Sequence, residues 1–271
     1  MVHSSSSFLV THGDDYELQM GRWSRRLAPL FIDFAGIRGA VRVLDVGCGT
    51  GNLGFCLARD PDVIEVCGLD LSRTYLEHAK RLSSDRRVTF QSGDARALPF
   101  PDTCFDHTVS MLALQFVPQA ERAVREMRRV TRSGGTVAAA TWDTRGGFVT
   151  LRMIFDAAAM LDQAGAIARA SAYTRPMSRP GDLACVWHDA GLHDVVQDML
   201  TIRMDFASFA DFWTPMESRE GPVAEYVTSL NPSARARLKE AVVLAYLDGE
   251  DDGPRSYAAT AWVVKGKVPE R

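Results

Sequence analysis

The chain of 271 residues lacks a long hydrophobic run, an excess of basic residues and paired cysteines. No apolar stretch approaches the ~20 residues that cross a bilayer, so a membrane partner is not expected. Lys and Arg total 31 against 34 Asp and Glu. Because proteins that bind the nucleic-acid backbone usually carry a basic excess, nucleic acid is not an expected partner either.

The cysteines and the first residues bear on the cellular compartment of the protein. Five cysteines are odd in number and never form a CxxC pair. This usage predicts reduced thiols in a cytoplasmic protein, with neither disulfides nor a metal site. Residues 1–8 have no basic segment followed by a long apolar one, so a signal peptide is not expected.

Composition and length predict one globular domain, with room for an elaboration. The chain is 46% apolar and 24% charged, which is typical of globular proteins and excludes a disordered scaffold. At ~100–200 residues per domain, one large domain accounts for the length.

Short apolar segments alternate with helical patterns between residues 41 and 142. The predicted strands are 41–46, 63–70, 88–91, 105–110 and 135–142. Ser72 is a plausible N-cap of one intervening helix, and Gly134 and Gly135 are expected to end another. The alternation predicts a parallel α/β sheet with right-handed crossovers. Such sheets bind ligands at the carboxyl ends of their central strands.

The flanking regions are less regular. Residues 8–34, 149–163 and 182–190 are expected to be helical, and 195–204 and 256–265 to be strands. Between the last two lies an aromatic-rich insert, which either covers an apolar acceptor or packs as a helix pair on the sheet. Arg122, Arg125, Arg128 and Arg129 recur on one face of a helix, and a solvated face is favoured over a nucleic-acid stripe.

A glycine-rich turn follows the first strand in VLDVGCGTG, residues 43–51. Gly47, Gly49 and Gly51 allow a tight turn and the close approach of a ligand. A dinucleotide fingerprint would place a small residue at position 52, which is Asn52, and the GK[ST] ending of a phosphate-binding loop is absent.

Acidic residues mark the ends of three consecutive strands. Asp45 lies in the first strand, Asp70 ends the second, and Asp94 follows the third. A carboxylate at position 70 can accept two hydrogen bonds from a ribose diol. Three carboxylates would repel a pyrophosphate but suit ammonium and hydroxyl groups. The pattern therefore predicts a nucleoside ligand without phosphates.

These motifs together resemble the class I S-adenosylmethionine-dependent methyltransferases, in particular the ubiquinone/menaquinone-biosynthesis-like group of small-molecule enzymes. The resemblance is carried by VLDVGCGTG, GLDLS (68–72), SGDARALPFPDTCFD (92–106) and TVAAATW (136–142). It covers about residues 41–142. It implies a Rossmann-like sheet of seven mostly parallel strands in the order 3-2-1-4-5-7-6, with the last strand antiparallel and helices on both faces.

The same resemblance implies S-adenosyl-L-methionine as cofactor and assigns residues to it. Gly47, Cys48 and Gly49, with Gly51 completing the turn, would lie against its methionine and ribose parts. Asp45 would meet the amino group through water.

Other parts of the cofactor would contact residues after the second, third and fourth strands. Asp70 would bind the ribose hydroxyls and Leu71 would pack on the adenine, while Asp94 and Ala95 would contact the adenine edge. Ser110 and Met111 would approach the methionine moiety by their backbones.

The segment YELQMGRWSR (16–25) is similar to the lid helix that precedes the core in bacterial members. Tyr16, Met20 and Arg22 would close over the cofactor, although plain packing explains the same residues. The expected division is a lid region 1–40 and a methyltransferase domain 41–271 with a helical insert at about 205–250.

The implied reaction is an in-line transfer of a methyl group to a small-molecule acceptor. It needs alignment of the reactants and exclusion of water. Gln115 stands where the group often has histidine and cannot act as a base. Asp143 is the better-placed acid after the fifth strand, or a loop cap, so no catalytic residue is assigned.

Two alternatives remain: a nicotinamide-dependent oxidoreductase and a non-catalytic S-adenosylmethionine-binding regulator. The sequence identifies neither the acceptor nor the oligomeric state.

Overall fold

The computed structural model describes residues 13–218 and 221–270, apart from the side chain of Asp15. The beginning of the helix predicted at 8–34, with His12, lies outside these residues. From Gly13 onward the segment is helical to Ala35, interrupted by one π-helical turn at Glu17–Gly21.

The described strands form one sheet of seven in the order β3-β2-β1-β4-β5-β7-β6. Strands β1 to β5 pair in parallel, and β7 runs antiparallel to both β5 and β6. This topology confirms the sheet order that the resemblance implied. The strands are β1 Arg42–Val46, β2 Glu65–Asp70, β3 Val88–Ser92, β4 Phe105–Met111, β5 Thr131–Trp142, β6 His193–Phe206 and β7 Arg255–Lys267.

Helices cover both faces of the sheet. Trp23, Leu27 and Phe31 on α2 enter the core of one face, and Met127 on α5 and Trp187 on α8 enter the core of the other. The helices are α1 Gly13–Tyr16, α2 Arg22–Ala35, α3 Asn52–Leu57, α4 Arg73–Leu82, α5 Ala120–Val130, α6 Val149–Leu161, α7 Gln163–Tyr173, α8 Asp182–Asp189, α9 Phe209–Trp213, α10 Gly221–Ser229 and α11 Pro232–Leu247.

The ends of several elements follow the predicted signals. Ser72 caps α4 by accepting a hydrogen bond of 3.2 Å from the backbone N–H of Tyr75. Gly191, at φ 75°, follows the end of α8. Among the described helices, none is long and apolar enough to cross a membrane.

The prediction that Gly134 and Gly135 end a helix is wrong. Helix α5 ends earlier, at Val130, and both glycines belong to β5. Gly134 has φ 71°, and a Cβ on Gly135 would lie 2.6 Å from the carbonyl oxygen of Asp106. Gly135 therefore serves the close approach of β5 to β4, and Gly134 provides the positive φ beside it. Helix α7 was not predicted.

The region between β6 and β7 consists of α9, a 3₁₀ turn at Thr214–Glu217, α10 and α11. It packs on α6, where the Tyr226 ring lies 5.4 Å from that of Phe155. Phe212 of this region and Trp23 of the N-terminal helix both pack on Phe206 at the end of β6, each with its ring 5.2 Å from that of Phe206. The N-terminal helix and this region also line one cavity together with Leu112 and Trp142, at the carboxyl ends of β4 and β5.

Candidate nucleoside-binding site and adjoining cavity

The glycine-rich turn after β1 is fixed to the end of β2. The backbone N–H groups of Gly47 and Cys48 both donate to the carbonyl oxygen of Leu69, at 2.7 and 3.0 Å. Gly47 and Gly51 have φ of 75° and 89°, which favour glycine. A Cβ on Gly47 would lie 2.3 Å from that of Ala113, so this position also lacks room for a side chain.

Asp70 holds the turn from the other side. Its Oδ2 accepts a hydrogen bond of 2.8 Å from the backbone N–H of Gly49, and its Oδ1 accepts one of 2.8 Å from Ser72. Burial raises the pKa of Asp70, although these bonds act in the opposite direction. Next to it, Leu71 is 43% exposed, which leaves an apolar surface beside the carboxylate.

Asp45 is buried, and one of its carboxylate oxygens has no hydrogen-bond partner among the described residues. Its side chain is 1% exposed, and Oδ2 accepts no hydrogen bond from the described residues. Burial, and then the charge of Asp70, raises the pKa of Asp45 to about 8. Burial also raises the pKa of the neighbouring Cys48 thiol. A cation would stabilise the ionised form of both Asp45, which is buried, and Asp70, which is partly buried.

Asp94 is hydrogen-bonded by Arg96, and its contact with adenine stays a prediction. Arg96 donates to its carboxylate through the side chain, at 2.7 and 3.1 Å, and through the backbone N–H, at 2.9 Å. These bonds with Arg96 lower the pKa of Asp94. An adenine amino group would have to share a carboxylate that Arg96 already holds. Ala95 beside it is partly buried.

Ser110 and Met111 end β4 between β1 and β5, both buried. The hydroxyl of Ser110 has no hydrogen-bond partner among the described residues. Because Val109 pairs with Asp45, Ser110 and Met111 follow at the edge of the sheet where the glycine-rich turn begins, and their contact with the methionine moiety stays a prediction.

The N-terminal segment is clamped onto the glycine-rich turn by Glu17, which sequence reasoning missed. Its carboxylate accepts hydrogen bonds from the Thr50 hydroxyl, from Asn52 Nδ2 at 2.9 Å and from Arg25. The signal was present in the two polar residues that flank Gly51, but the sequence gives no partner for them.

Tyr16 lies near the acid pair. Its hydroxyl is 3.3 Å from the Ser24 hydroxyl, and its ring lies 5.2 Å from that of Tyr75. Burial raises the pKa of Tyr16 to about 12, with contributions from the charges of Glu17, then Asp70 and Asp45, while the Ser24 hydrogen bond acts in the opposite direction. Tyr16 is therefore a neutral hydrogen-bonding group here.

A cavity of about 960 Å³, including its mouth, opens beside these residues. Its walls come from the N-terminal helix, the ends of β4 and β5, α6 and the insert, and they are mostly aromatic and aliphatic. The lining includes Tyr16, Met20, Trp23, Trp142, Phe148, Phe155, Phe206, Phe212, Met216 and Val223. The insert thus contributes both to covering the cavity and to the core, where Trp213 is buried.

Three polar side chains near the cavity have structural partners. Arg22 donates to Asp211 Oδ1 at 2.9 Å and lies 4.3 Å above the Trp23 ring. Gln115 Oε1 accepts from the backbone N–H of Trp142 at 3.2 Å. Asp143 accepts from the backbone of Arg145 and Gly146 and does not line the cavity, so it is a loop cap.

The parallel part of the sheet matches a known protein family. Residues 44–139 match the family described as a methyltransferase domain. This segment, which runs from β1 into β5, is similar to a methyltransferase domain. The domain has the class I fold, and the structure of a phosphoethanolamine N-methyltransferase from Haemonchus contortus bound to S-adenosyl-L-methionine is similar. The TM-score is 0.56 at 16% identity, over 96% of this chain and 61% of that one.

Two proteins with similar sequences are named as methyltransferases of small molecules. The demethylmenaquinone methyltransferase of Renibacterium salmoninarum is 38% identical over 136 residues, 49% of this chain and 55% of its own. The 27-O-demethylrifamycin SV methyltransferase of Amycolatopsis mediterranei is 32% identical over 133 residues, 47% of this chain and 48% of its own. This chain spans about half the length of the curated relatives it matches.

Proposed function

We propose that this protein is an S-adenosylmethionine-dependent methyltransferase that transfers a methyl group to a small-molecule acceptor by in-line displacement. The observation that carries the proposal is the pair of acids around the glycine-rich turn, buried Asp45 and partly buried Asp70. The matching methyltransferase domain and its relatives favour this activity over a nicotinamide-dependent oxidoreductase.

The residues present fit this cofactor. The unpartnered Oδ2 of Asp45 and the raised pKa values of both acids suit an ammonium group and a ribose diol. Exposed Leu71 offers an apolar surface to a base. When bound, the cofactor supplies a methyl group activated by a sulfonium charge.

The chain's own residues bind the cofactor, align the acceptor and exclude water from the site. Asp70 holds the turn through Gly49 while receiving the ribose hydroxyls, and Asp45 receives the amino group. The Glu17 clamp keeps the N-terminal segment over the site. The described cavity lining contains no His, Asp, Glu, Lys or Cys, so in our proposal the wall aligns the acceptor and no side chain of it removes a proton at neutral pH.

The proposal also includes a division of the chain, a cellular location and a class of acceptor. Residues 1–40 act as a lid, 41–271 form the methyltransferase domain, and the insert at about 205–250 covers the acceptor. A cytoplasmic location agrees with the five free cysteines. Nucleic acid is not the acceptor, and Arg129 supports this because it is engaged with Glu126 and Asp102.

A co-crystal structure with S-adenosylhomocysteine tests the proposal. We expect the ribose hydroxyls on Asp70 and the amino group beside Asp45. A parallel titration with NADH provides the contrast. Binding of NADH in preference to S-adenosylhomocysteine would overturn the proposal, and so would a ligand located away from the acid pair.

A further inference from the structure

Arg175 has an unusual environment in the wall of the cavity. It lies in the loop between α7 and α8, half-buried, with its guanidinium carbon 5.0 Å from the centre of the Phe116 ring. Its guanidinium has no hydrogen-bond or ion-pair partner within residues 13–218 and 221–270. Burial lowers the pKa of Arg175, and only the charge of exposed Glu225 acts against this.

Three other arginines of this region differ because each has an acid partner. Arg22, in the same cavity, is paired with Asp211, and Arg152 and Arg169 share Asp156. A desolvated cation without a counter-charge is costly, and an arginine stacked on a ring keeps its planar donors free for a carboxylate.

The charge inside the cavity limits what can bind. Tyr16 is neutral, Arg22 is neutralised by Asp211, and the other described lining residues carry no charge. Within the described part of the lining, one positive charge without a partner therefore remains, at Arg175. One guanidinium matches one carboxylate, and the surrounding aromatic wall matches an apolar body.

We infer that the methyl acceptor is a largely apolar small-molecule carboxylate, with its body against the aromatic wall and its carboxylate on the guanidinium of Arg175. The inference rests on the proposed function, since it assigns the acceptor class of that same site.

Matched pairs of probes test the charge without changing the shape. Protein saturated with S-adenosylhomocysteine is titrated by calorimetry with 2-naphthoate, 4-phenylbutyrate and decanoate, each paired with its primary amide. We expect at least one acid to bind about tenfold or more tightly than its amide. In Arg175→Met this preference is lost, and in Arg175→Lys part of it returns.

Two controls keep the result specific. Arg179→Met removes an exposed arginine from the same loop and should leave the acid preference unchanged. Binding of S-adenosylhomocysteine to every variant is measured first, which confirms folding and tests the proposed function separately. If the wild-type protein does not bind it, the proposed function fails.

If S-adenosylhomocysteine binds but no acid exceeds its amide, including the case in which no probe binds, the inference alone is overturned. An acid preference that survives in Arg175→Met overturns it as well. Tighter binding of phenyl phosphate than of all the carboxylates would show that the site takes a phosphate, and would contradict the carboxylate assignment.

Discussion

The backbone N–H of Gly49 donates a hydrogen bond of 2.8 Å to Oδ2 of Asp70. One carboxylate thus sets the shape of the glycine-rich turn and lies where the proposed ribose would bind. Because Ser72 donates to its other oxygen, a single substitution at position 70 affects both the ligand contact and the turn.

Asp70→Ala is expected to weaken binding of S-adenosylmethionine and S-adenosylhomocysteine alike. Loss of charge-assisted hydrogen bonds of this kind costs about 10- to 100-fold in affinity. Asp70→Asn keeps one acceptor for the turn and should give an intermediate affinity. Calorimetry on both variants checks this, and affinities within about twofold of the wild type would show that Asp70 does not contact the ligand.

Asp45 is expected to destabilise the ligand-free protein as the pH rises. Its ordinary pKa of 3.8 is raised to about 8 by burial and by Asp70. Between these values the unfolded chain has lost a proton that the folded chain keeps. The free energy of unfolding therefore falls with pH, by up to about 1.4 kcal/mol per pH unit for one group.

Asp45→Asn removes this titration, so its stability advantage over the wild type should grow from pH 6.5 to pH 8. Urea unfolding at several pH values measures it, with exposed Asp198→Asn as the control. Asp70 contributes with the same sign and remains in the variant. Parallel pH profiles for Asp45→Asn and wild type would contradict the raised pKa.

His107 is expected to make the free energy of unfolding fall as the pH is lowered. Burial, then the charge of Lys267, lowers the pKa of this strand β4 residue from 6.5 to about 4. As the pH falls through this window, the unfolded chain gains a proton and the folded chain does not, so stability is lost. His107→Gln should show a shallower loss in urea unfolding between pH 6.5 and 4, and an unchanged slope would exclude His107 as the cause.

Glu17→Ala should release the N-terminal segment from the glycine-rich turn. The variant loses the hydrogen bonds from Thr50, Asn52 and Arg25. We expect S-adenosylhomocysteine to dissociate several-fold faster in stopped-flow measurements. Glu77→Gln, on the exposed face of α4, is the control. Equal dissociation rates in all three proteins would mean that the segment does not cover the ligand.

Arg22 is expected to hold the insert and not the cofactor. It joins the N-terminal helix to Asp211 and stacks on Trp23. A double-mutant cycle of Arg22→Met and Asp211→Asn should give a coupling of ~0.5–1 kcal/mol in unfolding, since the pair is partly exposed. Binding of S-adenosylhomocysteine should stay within about twofold. A tenfold loss in Arg22→Met alone would instead support the cofactor contact that the lid resemblance implies.

The sheet and the turn were predictable because their signals are local. The first five strands are short apolar runs, with glycines after the first and an acid at the end of the second, and Ser72 caps its helix as the pattern predicts. The Gly134 and Gly135 error has a physical cause: the same residues that end helices also permit close packing of strands, and the approach of Asp106 decides between the two uses.

The site was only partly predictable because its remaining contacts join distant segments. Glu17 meets Asn52, Arg22 meets Asp211 and Arg175 lies on Phe116, and no spacing in the sequence marks these pairs. Asp94 was identified as a strand-end acid, but its engagement by Arg96 depends on a side-chain conformation that the motif does not specify.

The central claim is that the acid pair around the glycine-rich turn binds a cationic, phosphate-free nucleoside cofactor. Calorimetric titration of wild-type protein with S-adenosylmethionine and S-adenosylhomocysteine at pH 7 tests it most directly. We predict micromolar affinity for both. An absence of binding for both ligands would contradict the account.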